Sequence, residues 1–196
     1  WERAAFIKAR PVLGDPRAAA RFVKALRPFV WRRSLDYAAV LDIQSIKKQI
    51  PVHKTGEGLQ AAGANLKLGR GGIREIEFFA QTQQLIFGGR DPSLRLRGTC
   101  ETIRALSATG HVTPTAADEL IEAYGFLRRV EHRLQMVDDR QTHSLPADET
   151  GVAAIATFLG YPDSASFQQA LLDRLRCVEG HYAKLFEEAP SLAGPG

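Results

Sequence analysis

One apolar stripe constrains the fold of this chain more than any other feature of its sequence. After Thr113 and Pro114, apolar side chains recur every three or four positions over a stretch of about 25 residues. The stripe comprises Leu120, Ala123, Tyr124, Leu127, Val130, Leu134 and Val137. An α-helix turns once in 3.6 residues, so these side chains lie on one face, which neighbouring helices must cover.

Similar periodicity predicts further helices over residues 16–26, 35–50, 73–87, 99–109, 149–159 and 164–188. Asp15 is placed to cap the first of these, with Pro16 at its first helical position. Only residues 66–68 show the alternation of an extended segment. The sequence therefore predicts an all-α fold, an antiparallel helical bundle with long helices joined by short loops.

The ends of the chain and its glycines predict the domain organisation. The chain opens on Trp1 and its only methionine is Met136, so we expect a piece of a longer protein. The glycine-rich residues 51–65 lack periodicity and predict a loop, which separates residues 1–50 from a helical bundle domain at 66–190. The final SLAGPG predicts a frayed tail at 191–196.

The charge is strongly asymmetric. Residues 1–33 carry nine basic and two acidic side chains, a net +7, whereas the remaining 163 residues carry 17 basic and 20 acidic ones, a net −3. Such a basic segment attracts anions, although it is equally consistent with a solvated helix face. The chain has no secretion signal, no apolar run near 18 residues and no nucleic-acid-binding signature, which predicts a cytoplasmic protein without nucleic-acid or membrane partners.

Residues 67–77, KLGRGGIREIE, are the strongest candidate for chemistry. Glycines before a helix allow close backbone approach, and the helix N-terminus together with basic side chains favours a phosphate. The phosphate-facing candidates here are Lys67, Arg70 and Arg74. The alternative is a purely structural corner formed by Gly69, Gly71, Gly72, Glu75 and Glu77.

Two further groups of charged residues are candidates. Because the helix after the glycines is apolar almost all round, Glu75 or Glu77 must lie near a packed surface and needs a partner, most simply an Arg of the basic segment. In WERAAFIKAR, the phosphate- or nucleotide-facing candidates are Glu2, Lys8 and Arg10, with a solvated surface helix as the alternative.

No metal site or catalytic nucleophile is predicted. Cys100 and Cys177 lack a CxxC motif and are interpreted as packing thiols without a Cys/His cluster, and the five histidines include no HExxH. Glu131 and His132 on the long helix are interpreted as structural. The sequence thus names no catalytic residue and no metal ligand.

Four stretches carry a family resemblance: WERAAFIKARPVLGD, FVWRRSLDYAAVLDIQSIK, NLKLGRGGIREIEFFAQTQQLIFGGRDPSLR, and AYGFLRRVEHRLQ with DDRQTHSLP. Together they resemble the bacterial glutamine synthetase adenylyltransferase/adenylyl-removing enzymes, and most closely the N-terminal, adenylyl-removing half. The resemblance implies a nucleotidyltransferase of nitrogen regulation that removes AMP from a glutamine synthetase tyrosine by phosphorolysis and attaches it from ATP. It also implies Mg²⁺, ATP, ADP and phosphate as cofactors, glutamine as effector, and the PII signal protein, free or uridylylated, as partner.

The family's catalytic carboxylates are missing from this chain. It has no Gly-Ser-Asp-x-Asp motif, and residues 94–97 lack the Asp and Pro that accompany the family's Arg-Leu-Arg stretch. The resemblance then implies that residues 1–50 are the tail of the nucleotidyltransferase domain with junction helices, and that this chain alone is inactive and binds no cofactor. Two alternatives stay open: a regulatory module that only docks partner proteins, and the helical domain of the related PII uridylyltransferase.

Overall fold

The computed structural model describes residues 2–33, 58–138 and 141–187, and it is predominantly helical there. The helices in these ranges are α1 (Glu2–Ile7), α2 (Pro16–Val30), α3 (Ile73–Phe87), α4 (Thr99–Ala108), α5 (Pro114–Asp138), α6 (Glu149–Phe158) and α7 (Ser164–Glu187), with a short 3₁₀ helix at Pro92–Leu94. The described residues form no strand, only an isolated antiparallel bridge between Asn65 and Ser144. The predicted all-α class is confirmed, whereas the antiparallel bundle arrangement stays a prediction.

Local chemistry explains where the helices begin and end. The Asp15 carboxylate accepts a hydrogen bond from the Arg17 N–H, as predicted for the cap of α2. This helix runs past its predicted end, through Pro28, and stops at Val30. The bounds of α3 agree with the prediction, and those of α4 to α7 agree within a residue or so. The predicted helix at 35–50, part of the loop at 51–65 and the tail at 191–196 lie outside the described residues.

Residues 66–68 form a turn rather than an extended segment, so that prediction was wrong. The Asn65 side-chain oxygen accepts hydrogen bonds from the N–H groups of Lys67 (3.1 Å) and Leu68 (2.7 Å). The Gly69 N–H then bonds to the Asn65 carbonyl at 2.9 Å. An Asn side chain bonded to the backbone ahead of it closes a turn, and this outweighs an alternation of only three residues.

The chain divides into two compact units. The described residues of the first unit are 2–33 and 77–117, and those of the second are 58–76, 118–138 and 141–187. The division therefore falls within α3 and within α5. The domain boundaries predicted from the sequence, at residues 50, 65 and 190, stay a prediction.

In the first unit, aromatic contacts and close backbone approach hold the helices. The rings of Phe6 and Phe29 meet edge to face at 6.2 Å, joining α1 to α2. The Gln84 side chain on α3 donates hydrogen bonds to the carbonyls of Leu94 (2.6 Å) and Leu96 (2.8 Å). A Cβ added to Gly89 would lie 1.6 Å from the Arg32 carbonyl oxygen, so only glycine fits there.

The core of the second unit is built from apolar side chains of residues 66–76 and of α5, α6 and α7. Its fully buried residues include Leu66, Ile73, Ile76, Leu120, Leu127, Val130, Val152, Phe167, Leu171, Leu175 and Val178. The predicted stripe on α5 is buried or half-buried up to Leu134, but Val137 is 56% exposed and was wrongly assigned to the core. Val137 lies in the last turn of α5.

Candidate functional site

The backbone donors at the glycine corner are already bonded within the chain. The Gly71 N–H donates to the Glu75 carboxylate (3.0 Å), and the Gly72 N–H donates to the Gly69 carbonyl (3.0 Å). The first N–H groups of α3 bond to carbonyls of the preceding turn: Ile73 to Leu66 at 2.8 Å, Arg74 to Lys67 at 3.0 Å and Glu75 to Gly72 at 3.0 Å. These are the donors that a helix N-terminus offers to an anion. The geometry therefore favours a structural role for this backbone.

Close packing explains why the corner needs glycine. Gly71 has a φ of +68°, and a Cβ placed on it would lie 2.0 Å from the Leu175 carbonyl oxygen of α7. A side chain here would meet both an unfavourable backbone conformation and a clash with main chain. The corner and α7 thus approach at backbone distance within the second unit.

Glu75 is buried at the centre of this corner and is only 4% exposed. Burial raises the pKa of its carboxyl from 4.5 to about 7, an effect that the Gly71 N–H partly offsets. Burial, together with the nearby Glu75 carboxylate, also raises the pKa of the Tyr182 hydroxyl on α7. Glu75 is therefore a titratable group inside a packed junction.

The Arg70 side chain extends from this corner and forms an ion pair with Glu179 of α7. Its Nε donates to Glu179 Oε1 at 2.8 Å, and its terminal nitrogen contacts the same oxygen. Both side chains are about a third exposed, at 31% and 32%. Arg70 also borders a surface pocket of the second unit, lined by residues 58–60, 62–65, Gly69 and Leu175.

A second cluster of charged side chains surrounds Glu131 of α5. Glu131 is only 1% exposed. Arg128 donates to Glu131 Oε2 at 2.5 Å, His143 Nδ1 lies 2.9 Å from Oε1, and Lys67 Nζ lies 4.0 Å from the same atom. A buried carboxylate is costly unless such partners compensate for its lost hydration. One carboxylate thus joins the KLGRGG, RRVEHRLQ and QTHSLP stretches.

Backbone pairing adds to this cluster. The Leu66 N–H bonds to the His143 carbonyl at 2.8 Å, the Leu145 N–H to the Ala64 carbonyl at 2.9 Å, and the Gly63 N–H to the Pro146 carbonyl at 3.0 Å. The segment 143–146 therefore lies along residues 63–66. The structural interpretation of Glu131 agrees with this geometry, but sequence reasoning missed its partners Arg128 and His143. The available signal was a glutamate one turn after Leu127, inside the apolar stripe.

In the first unit, Lys8 is the candidate that acquires partners. Its Nζ lies 3.4 Å from Glu77 Oε1 and 3.2 Å from the Thr99 hydroxyl oxygen. The basic segment therefore supplies a partner for Glu77, as expected, but through a lysine rather than an arginine. Glu2 and Arg10 are exposed, and Arg74 is half-buried on α3. The carboxylates of Glu75 and Glu77 contact different residues and do not form a pair.

Comparison with known proteins places this chain in a family. The family model described as GlnD PII-uridylyltransferase matches residues 44–186, which include the corner, the Glu131 cluster and Glu179. The chain belongs to the GlnD PII-uridylyltransferase family. Among the described residues of this family member, no helix combines the length and the apolar character needed to cross a membrane.

Individual relatives agree with the resemblance found in the sequence. The chain is 58% identical over 193 residues to the bifunctional glutamine synthetase adenylyltransferase/adenylyl-removing enzyme of Rhizobium meliloti, a match that covers 98% of the chain and 20% of that protein. The enzymes of the same name from Mesorhizobium japonicum and Agrobacterium fabrum are 56% and 54% identical, covering 98% and 99% of this chain and 20% of each relative. The resemblance is confirmed, and the alternative of a PII uridylyltransferase helical domain is not favoured, since all of these relatives are adenylyltransferase/adenylyl-removing enzymes. The chain spans about a fifth of these relatives' length.

Proposed function

We propose that this chain is the helical domain of an enzyme that adds AMP to, and removes it from, a tyrosine of glutamine synthetase. The observation that carries the proposal is the 58% identity over 193 residues to the bifunctional glutamine synthetase adenylyltransferase/adenylyl-removing enzyme of Rhizobium meliloti. The match covers 98% of the chain. On this proposal the chain supports the phosphorolytic, adenylyl-removing site of a cytoplasmic bacterial nucleotidyltransferase. Residues 1–50 are proposed to be the tail of the nucleotidyltransferase domain.

The parent enzyme would use Mg²⁺ with ATP, ADP and phosphate, but the described residues do not fit Mg²⁺ themselves. Mg²⁺ prefers oxygen ligands, and the described residues that group at metal-ligand distance are Glu119, Cys177 and His181, which combine three ligand types. We therefore assign no metal-dependent step to this chain. Glutamine synthetase is the proposed substrate protein, with PII and glutamine as proposed regulators.

The Glu131 cluster and the glycine corner are proposed to hold the helical domain in the form that the neighbouring active site needs. The corner's backbone donors are bonded internally, while Arg70 borders a pocket. Arg70 is therefore the phosphate-facing candidate that the geometry supports best. Its ion pair with Glu179 provides a way to separate a ligand contact from a structural one.

The test measures phosphate-dependent removal of AMP from adenylylated glutamine synthetase by the full-length enzyme. If Arg70 contacts phosphate, Arg70→Ala raises the KM for phosphate by about tenfold or more, because a charge-assisted contact is lost, whereas Glu179→Gln leaves this KM within about twofold. Equal effects of the two variants would show that Arg70 acts only through its ion pair. Unchanged kinetics in both would exclude the phosphate contact.

A second assay tests whether the adenylyl-removing activity needs residues outside this chain. The 196-residue chain alone is expected to remove no AMP, whereas a longer protein that includes a Gly-Ser-Asp-x-Asp motif is expected to be active, since in-line nucleotidyl transfer needs metal-binding carboxylates. Activity in the chain alone would overturn the proposal. The docking-module alternative would be favoured by two results together. Substitutions throughout this domain would leave the adenylyl-removing rate unaffected, and the enzyme would bind glutamine synthetase or PII.

A further inference from the structure

Three side chains of different ligand type meet between α5 and α7, and none of them belongs to the corner or to the Glu131 cluster. Cys177 and His181 are one helical turn apart on α7, and Glu119 faces them from α5. The Glu119 Oε2 atom lies 2.6 Å from His181 Nε2 and 3.8 Å from Cys177 Sγ. One ligand atom from each residue lies within 4.8 Å of the other two.

The helices fix this arrangement. Residues four apart share one face of a helix, which places the thiol and the imidazole side by side. One turn along, Arg174 donates to Glu122 at 2.6 Å, and its guanidinium lies 5.1 Å from the centre of the Phe126 ring. These contacts run in opposite directions along α5 and α7, so the two helices are antiparallel here. The three ligand-type side chains are therefore held by rigid elements rather than by a loop.

We propose that Glu119, Cys177 and His181 form a binding site for Zn²⁺ or a chemically similar divalent transition-metal ion. Thiolate, imidazole and carboxylate are the three protein ligands that Zn²⁺ uses, and three of them leave a fourth tetrahedral position for water. With bonds of about 2.0–2.3 Å, neighbouring tetrahedral ligand atoms stand about 3.3–3.8 Å apart. The thiol–carboxylate distance already fits this range, and the imidazole–carboxylate distance needs to open by about 0.8 Å.

Metal binding at this site exchanges a proton for the ion. The Cys177 thiol loses its proton to solvent, and Zn²⁺ takes its place on sulfur. The His181 ring proton moves by way of solvent to Nδ1, so that Nε2 can bind the ion, and the hydrogen bonds that join Glu119 to Cys177 and His181 are broken. No electron is transferred. Glu119 is 47% and His181 is 17% exposed at the side chain, so the ion has a path from solvent. Since α5 and α7 would share one ion, binding stabilises their contact.

The test uses Zn²⁺ and Co²⁺ alone as probes, on the reduced 196-residue chain and on the longer parent protein. We expect about one Zn²⁺ retained per chain after desalting, and a near-ultraviolet thiolate-to-metal charge-transfer band with Co²⁺. Carboxylate-bound Co²⁺ gives no such band, so a nucleotidyltransferase site in the parent does not interfere. Cys177→Ser is expected to abolish the band, and His181→Ala and Glu119→Gln to weaken Zn²⁺ binding at least about tenfold.

Matched controls separate a site from adventitious binding. Cys100→Ser removes the half-buried thiol of α4, and His132→Ala removes an exposed histidine of α5. Both controls are expected to keep the band and the affinity. The proposal is overturned if Co²⁺ gives no thiolate band in either protein, or if Cys100→Ser and Cys177→Ser reduce it equally. In that case the three side chains are a hydrogen-bonded contact between helices.

Discussion

Neutralising Glu131 should destabilise the chain far more than neutralising an exposed glutamate of the same helix. Glu131→Gln keeps the size of the side chain but removes the charge that Arg128, His143 and Lys67 surround. Breaking a fully buried ion pair costs about 3–5 kcal/mol. The partners are about a third exposed, with side-chain exposures of 37%, 29% and 32%, so solvent screens part of this loss. We expect a loss of about 2–3 kcal/mol.

Glu122→Gln is the matched control. Glu122 also lies on α5 and also pairs with an arginine, Arg174, at 2.6 Å, but its side chain is 68% exposed. An exposed pair of this kind contributes about 0–1 kcal/mol. The comparison therefore changes burial while keeping the helix, the substitution and the type of partner.

Urea unfolding gives the free energy of unfolding of both variants and thermal melts give their Tm, each followed by far-ultraviolet circular dichroism. In a chain of this size, about 2–3 kcal/mol corresponds to a fall in Tm of roughly 5–10 °C, whereas Glu122→Gln should shift Tm by no more than about 3 °C. Equal effects of the two substitutions would refute the argument that burial makes the Glu131 cluster important. A Glu131→Gln variant within about 0.5 kcal/mol of the unmodified chain would do the same.

Two further predictions concern the glycine corner. The pKa of Glu75 is raised from 4.5 to about 7, so its contribution to stability is complete below pH 4.5 and is lost as the pH rises through 7. The free energy of unfolding of Glu75→Gln, relative to that of the unmodified chain, should therefore rise by up to about 3 kcal/mol between pH 4.5 and 8. Urea unfolding at each pH measures this difference, and a difference that stays constant with pH would contradict the prediction. Gly71→Ala should cost at least about 2 kcal/mol, and Gly160→Ala, whose φ is +82° with nothing within 4 Å, about 1 kcal/mol, because only the first adds a clash. Equal losses in a thermal melt would show that the Gly71 contact relaxes.

Much of the helical structure could be predicted because its signals are local. Asp15 caps its helix through the next turn, and Gly88 follows the end of α3, so both boundaries depend on neighbours in sequence. The prediction for residues 66–68 failed although its cause is also local. The Asn65 side chain closes a turn there, and a three-residue apolar alternation carries too little information to compete.

The candidate site could be predicted only in part. The glycines and charges of residues 67–77 indicated a corner. The sequence also indicated that Glu75 or Glu77 needs a partner from the basic N-terminal segment, but the partner of Glu77 is Lys8 and not the expected arginine. The sequence did not reveal that the corner's N–H groups bond internally, because that depends on backbone geometry. It also missed the Cys177–His181 pair, since the spacing becomes informative only when Glu119 faces it.

The sequence by itself determined the helical class, most limits of the described helices and the family resemblance, because periodicity, caps and motif strings are properties of neighbouring residues. Tertiary structure decided which charges meet. Lys67 lies 64 positions before Glu131 and His143 lies 12 positions after it, yet both side chains contact the buried Glu131 carboxylate. Burial and the distance between charges set their interaction energies, and both exist only once the helices have packed.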